Sequence, residues 1–167
     1  TVLSLCLDRQ GSVWVGTKAG LDRWDRSGGT FTHYRNDPAD RGSLAENTVQ
    51  VILEDKQGDL WIGTQSSGLD RLDRSTGRFT HFRHDAARSG TLSDNMIYAL
   101  LEDRAGTIWI GTYGGGLNRF DRSTGTFTAY LHNDSIPSSL GARGIWSLFE
   151  DRDGVLWVGT YEGGLDR

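Results

Sequence analysis

Cysteine, methionine and lysine are nearly absent from these 167 residues, and each absence removes a class of explanation. Cys6 stands alone, so no internal disulfide staples the chain and the redox compartment stays open. Met96 is the sole methionine and Thr1 comes first, so the sequence is expected to be a piece of a longer protein, and missing targeting signals carry no message about location. No apolar run approaches the ~20 residues of a membrane helix, so no direct membrane insertion is expected within this stretch. Basic charge is not in excess: 18 Lys and Arg against 22 Asp and Glu leave a net charge of −4, which argues against a nucleic-acid partner. The cations are almost all Arg beside Asp, a pattern expected at solvated strand edges and turns.

Chemical motifs are missing as well. There is no Gly-x-Ser-x-Gly nucleophile elbow and no phosphate-cradling glycine loop. The twelve-residue calcium loop is absent, as is any His-x-His or His-x-x-x-His clamp for zinc. No catalytic residue, cofactor or metal is therefore expected. His33, His81, His84 and His132 are read as solvent-facing.

What is present is one sentence written four times: Val13-Trp14-Val15-Gly16-Thr17, Leu60-Trp61-Ile62-Gly63-Thr64, Ile108-Trp109-Ile110-Gly111-Thr112 and Leu156-Trp157-Val158-Gly159-Thr160. The tryptophans stand 47, 48 and 48 residues apart, so a supersecondary unit has been duplicated. In the second unit, Val49 to Glu54 and Leu60 to Thr64 are β-prone runs joined by Asp55-Lys56-Gln57-Gly58, which predicts a hairpin. Leu69 to Asp73 alternates apolar and charged residues, and Phe79 to Phe82 follows a second turn, which predicts two outer strands. Asp8, Asp55, Asp103 and Asp151 each precede a glycine by three, as an Asx-type turn requires. Inner strands apolar on both faces, with outer strands polar on one, suit a sheet sandwiched between sheets. The expectation is all-β: propeller blades built as four-stranded antiparallel meanders, three full blades plus three strands of a fourth, at about 1–47, 48–95, 96–143 and 144–167. The repeated Trp is expected between blades, and Cys6, in register with Leu53, Leu101 and Phe149, as a small buried strand residue.

The string Ile52-Leu53-Glu54-Asp55-x-x-Gly58-x-Leu60-Trp61-Ile62-Gly63-Thr64-x-x-x-Gly68-Leu69-x-Arg71-x-Asp73 closely resembles the two-component regulator propeller repeat. It recurs at Leu100-Leu101-Glu102-Asp103 and Leu148-Phe149-Glu150-Asp151, and more loosely at Leu5-Cys6-Leu7-Asp8, where Leu7 replaces the Glu. The resemblance implies a large propeller in the extracytoplasmic sensor region of a bacterial membrane receptor. In such receptors a β-sandwich, a transmembrane helix and a histidine kinase or diguanylate cyclase follow, and many sense polysaccharide fragments. Those later parts lie outside these residues.

Residues identical in every repeat build the blade, so a unique ligand site must come from positions at which the copies differ. After Gly-Thr stand Lys18, Gln65, Tyr113 and Tyr161; near the start of the innermost strand stand Leu3, Gln50, Tyr98 and Trp146. Aromatics thus accumulate in the third and fourth units, on the face that also carries the long connections, and suit an oligosaccharide. The competing reading of these rings is blade-to-blade packing or a contact with a missing neighbour. The connections Arg35 to Thr48, Arg83 to Met96 and Leu131 to Gly144 repeat Ser43-Leu44, Thr91-Leu92 and Ser139-Leu140, which suggests that each Leu plugs an interblade groove. Arg143 replaces Asn47 and Asn95 of the earlier copies and is expected near Trp146 as a carboxylate or sulfate contact. The candidate site is therefore Tyr98, Tyr113, Arg143, Trp146 and Tyr161. Three functions remain open: a sensor-type binding module, a fragment of a glycan-active lyase or glycosidase, and a structural array that docks proteins. The expected partners are an oligosaccharide and further blades, from the parent chain or from another copy.

Overall fold

The computed structural model describes residues 1–167. The first sheet holds β1 (Val2–Leu7), β2 (Val13–Thr17), β3 (Gly20–Asp25) and β4 (Thr30–Tyr34). The second holds β5 (Val49–Glu54), β6 (Leu60–Thr64), β7 (Leu69–Asp73) and β8 (Arg78–Phe82). The third holds β9 (Ile97–Glu102), β10 (Ile108–Thr112), β11 (Leu117–Asp121) and β12 (Thr126–Tyr130). The fourth has three strands, β13 (Ile145–Glu150), β14 (Leu156–Thr160) and β15 (Gly164–Asp166). Strands pair antiparallel in sequence order within every sheet, and successive innermost strands pack on one another, so the sheets are consecutive blades of a partial propeller.

Each inner hairpin is closed by the carboxylate at its turn. Asp55 Oδ1 accepts the backbone N–H of Gln57 and of Asp59, both at 2.9 Å, while Oδ2 accepts the indole N–H of Trp61 at 2.7 Å. The indole bond recurs from Trp14 to Asp8, Trp109 to Asp103 and Trp157 to Asp151. The turn Asp and the Trp are thus one device, in which the ring packs between blades and its polar edge is satisfied by its own hairpin.

Blade-to-blade contact is apolar at its centre. Trp14, Leu21 and Leu44 pack against Val49, Ile52, Leu60, Ile62, Leu72 and Phe79 at the first junction, and Cys6 packs half-buried at its edge. Trp61, Leu69 and Leu92 pack against Ile97, Ile108, Ile110, Phe120 and Phe127 at the second. Leu44 and Leu92 are fully buried, as expected of groove plugs, and Leu140 is half-buried at the third junction. Gly63 lies where these inner strands approach closely: a Cβ there would stand 2.6 Å from Val51 Cγ1 and 2.7 Å from Ile97 Cγ2. Gly63→Ala is expected to cost about 1–3 kcal/mol by overpacking, measurable as a lower urea midpoint with unchanged m-value.

Two polar expectations need correction. The arginines are not all solvated: Arg74 bonds Asp8 at 3.2 Å and Glu54 at 2.9 Å, and Arg122 bonds Asp55 at 2.6 Å. Each guanidinium lies over the tryptophan of the preceding blade, 5.7 Å from the Trp14 centroid and 5.9 Å from that of Trp61. The buried carboxylate and the ring face together draw the cation inward. His33 and His84 are exposed as expected, but His81 and His132 are half-buried fasteners. His81 bonds the buried Asp70 at 2.6 Å, and this bond raises its pKa against the opposing effect of burial. His84 and His132 donate from Nδ1 to the carbonyls of Leu92 and Leu140, tying each long connection to its own base as Asn36 does with Leu44.

Candidate functional site

The aromatic residues singled out by divergence meet. Tyr98 and Trp146 have ring centroids 4.5 Å apart, Tyr98 and Tyr113 5.9 Å, Tyr113 and Tyr161 6.1 Å, and Trp146 and Tyr161 5.7 Å. All four contacts are tilted, which suits the ring quadrupoles better than a face-to-face sandwich. Tyr113 is 44% exposed and Trp146 and Tyr161 are 45% exposed, while Tyr98 is half-buried at the base of the group. The rings form a continuous aromatic patch open to solvent.

Two backbone features place them. First, each sheet has a register shift at the start of its innermost strand: Ile97 pairs with Thr112 and Ala99 with Gly111, and Ile145 pairs with Thr160 and Ser147 with Gly159. The residue passed over is Tyr98 or Trp146 in these blades, and Leu3 or Gln50 in the first two. A bulge leaves its extra residue out of the ladder and re-aims its side chain, here out of the interblade stack. Second, the residue after Gly-Thr donates its N–H to the carbonyl just before the innermost strand: Tyr113 to Met96 at 3.0 Å and Tyr161 to Gly144 at 2.7 Å. These bonds bring each tyrosine beside the bulged residue of its own blade.

The bulge went unread in the sequence, although a signal for it existed. Val49 and Ile52 both face the first blade, an odd spacing that strict alternation forbids without an extra residue between them. Gln50 and Gln65 occupy the same two positions in the second blade and Leu3 and Lys18 in the first, so the patch is bordered along the array by residues of other chemistry.

Arg143 is exposed and lines a separate hollow of about 380 Å³ with His84, Ser93, Gly114, Gly115, Ala129, Leu131 and His132, none of them one of the four rings. The hollow and the patch adjoin through the loop that carries Tyr113, Gly114 and Gly115. Gly144, next to Arg143, is wedged between the Tyr113 carbonyl and the Tyr161 side chain.

Known proteins share the repeat and the fold. The family model described as the two component regulator propeller matches residues 1–19, 43–66, 91–114 and 139–162, together more than half of the chain. No curated protein matches. Among solved structures, the extracellular domain of the putative hybrid two component system BT3049 from B. thetaiotaomicron is similar at 29% identity and a TM-score of 0.85, over 98% of this chain and 22% of that one. The extracellular domain of the putative one component system BT4673 from the same organism is similar at 29% identity and a TM-score of 0.79, over 99% of this chain and 23% of that one. This chain therefore spans less than a quarter of those domains. Virginiamycin B lyase from Staphylococcus aureus, at 14% identity and a TM-score of 0.69, shares the fold alone.

Proposed function

The chain belongs to the two-component regulator propeller family, and we propose that this segment of a bacterial extracytoplasmic sensor binds an oligosaccharide against Tyr98, Tyr113, Trp146 and Tyr161. Occupancy would be passed to a signalling domain elsewhere in the parent protein. One observation carries the reading: four rings in mutual contact, three of them nearly half exposed, come from positions at which the repeats disagree. Trp61, by contrast, packs between blades with no exposed area. Flat aromatic faces beside phenolic hydroxyls suit the C–H face and the hydroxyl rim of a sugar ring. Further blades of the parent chain would complete the propeller around this patch.

Calorimetric titration with a panel of oligosaccharides tests the proposal. Saturable binding is expected, weakened at least about tenfold in Trp146→Ala and in Tyr98→Ala, with Tyr161→Ala weaker by a similar factor. These side chains are partly exposed, so far-UV circular dichroism should stay unchanged. Binding that survives all three substitutions rules out the patch. Binding of proteins alone favours a docking array.

A further inference from the structure

The three long connections are built to one pattern, and the third departs from it at two adjacent positions. In the first, Asn47 Oδ1 accepts the backbone N–H of Asn36 at 2.8 Å; in the second, Asn95 Oδ1 accepts that of His84 at 2.7 Å. The third has Arg143 at that position, which carries only donors, and the equivalent N–H of His132 has no protein acceptor. One residue earlier, Glu46 accepts the loop N–H of Ser66 and Asp94 that of Gly114, both at 2.7 Å. There the third connection has Ala142, and the corresponding N–H of Glu162 also lacks a protein acceptor. Glu162 is at the same time the one non-glycine residue of the chain with positive φ, at 68°. Two protein acceptors have thus been removed and a guanidinium added within two residues.

The consequence falls on the hollow beside the aromatic patch. Its wall carries the Arg143 guanidinium and the His132 ring, whose nitrogens meet Leu140 O and Asp134 Oδ1, the latter at 2.9 Å, contacts that raise its pKa. Gly114 and Gly115 line the same wall, packed against Asp94 and Ser93, with their N–H groups given to Asp94 Oδ2 and Thr112 Oγ1. The negative groups nearby are committed or turned to water: Asp94 to Gly114 N–H, Asp134 to His132 with its side chain 97% exposed, and Glu162 exposed on its loop.

We infer that this hollow receives an oxyanion, the carboxylate or sulfate of an acidic saccharide whose ring lies on the adjoining aromatic patch. The ligand oxygen takes the place that the Asn carbonyl oxygen fills in the other two connections, accepting from His132 N–H and from the Arg143 guanidinium. An Arg in that role supplies a planar fork matched to either anion. The inference rests on the saccharide reading above and narrows it to acidic glycans.

The test uses oligosaccharides of equal length, neutral, hexuronate-containing and sulfated, titrated calorimetrically, with inorganic sulfate titrated separately while the His132 backbone amide is followed by NMR. At least one acidic series is expected to bind tenfold or more tightly than the neutral one, and which of the two does so distinguishes carboxylate from sulfate. In Arg143→Asn, which restores the residue of the other repeats and so keeps the fold, the acidic-to-neutral ratio is expected to fall towards one. Sulfate is expected to shift the His132 amide in the parent chain and not in Arg143→Asn. Equal affinity for acidic and neutral series, or an unchanged ratio in Arg143→Asn, overturns the inference while leaving the aromatic patch intact if Trp146→Ala still loses binding. If no saccharide binds, the saccharide reading fails, and the amide response to sulfate still decides whether the hollow takes an anion.

Discussion

Asp55→Ala is expected to destabilise the protein by about 3–5 kcal/mol, the range for breaking a buried charge pair by removing one partner. One small side chain here serves two blades. Its carboxylate closes the β5–β6 turn, satisfies the indole of Trp61 and anchors Arg122 from the third blade, 67 residues away. Its removal leaves the buried indole N–H without its acceptor and the guanidinium with Gln57 at 3.1 Å and the more distant Asp59 and Glu102 carboxylates. Asp151 makes the same turn and indole bonds but is half-exposed and its carboxylate receives no guanidinium, so Asp151→Ala should cost much less. Urea unfolding of the two variants side by side is the measurement, and equal losses would show that the cross-blade bond contributes nothing. The same geometry sets an acid dependence. Burial pushes the Asp55 carboxyl up, but Trp61, Arg122 and the turn N–H groups together hold it below its ordinary value. A depressed carboxyl contributes stability that is fully present above its unfolded pKa and is lost as pH falls through the folded one. The stability difference between the parent chain and Asp55→Ala should therefore be constant near neutrality and shrink in acid.

Trp61→Ala should cost about as much, roughly 3–5 kcal/mol, for a different reason. The ring has no exposed area and fills the second junction, stacked at 5.8 Å on Phe82 and edge-on at 5.1 Å to Phe120, with Arg71 and Arg122 over its faces. No neighbour can collapse into that space without moving a strand, so the cavity persists. Trp157, half-exposed on the fourth sheet, should lose distinctly less on the same substitution. Because Trp61 and Asp55 share a hydrogen bond, the double variant should lose less than the sum of the two single losses. Additive losses would mean that the indole bond contributes nothing beyond packing.

These effects also mark how far one sequence could be read. The meander, its turns and the fourfold period were legible because they are local. An Asp three residues before a glycine, or a Trp in a five-residue β run, is specified within one hairpin. The plugging leucines were visible for a related reason, since repetition at a fixed offset reveals a structural duty even when the partner is unknown. Arg74 and Arg122 were misread because their partners lie 66 and 67 residues back, and an Asp-Arg pair looks the same whether the arginine meets water or a buried carboxylate. His81 and His132 were misread likewise, since His81 meets Asp70 only across a strand pair and His132 finds its carbonyl only once the connection has turned back on itself.

By itself, then, the sequence determined the blade: hydrogen-bonded hairpins of period two, punctuated by Asp and Gly, can close no other way, and copying the unit forces the copies to stack. It also determined which residues were free to differ, and so which could serve a ligand. Only the tertiary structure decided what those free residues form. Tyr98 and Trp146 leave the ladder because a bulge skips them, Tyr113 and Tyr161 swing beside them on a backbone bond, and Arg143 turns to a neighbouring hollow and not to the rings. Residues nearly fifty positions apart become neighbours only when blades pack, and the angle at which they pack is set by side chains from both blades at once.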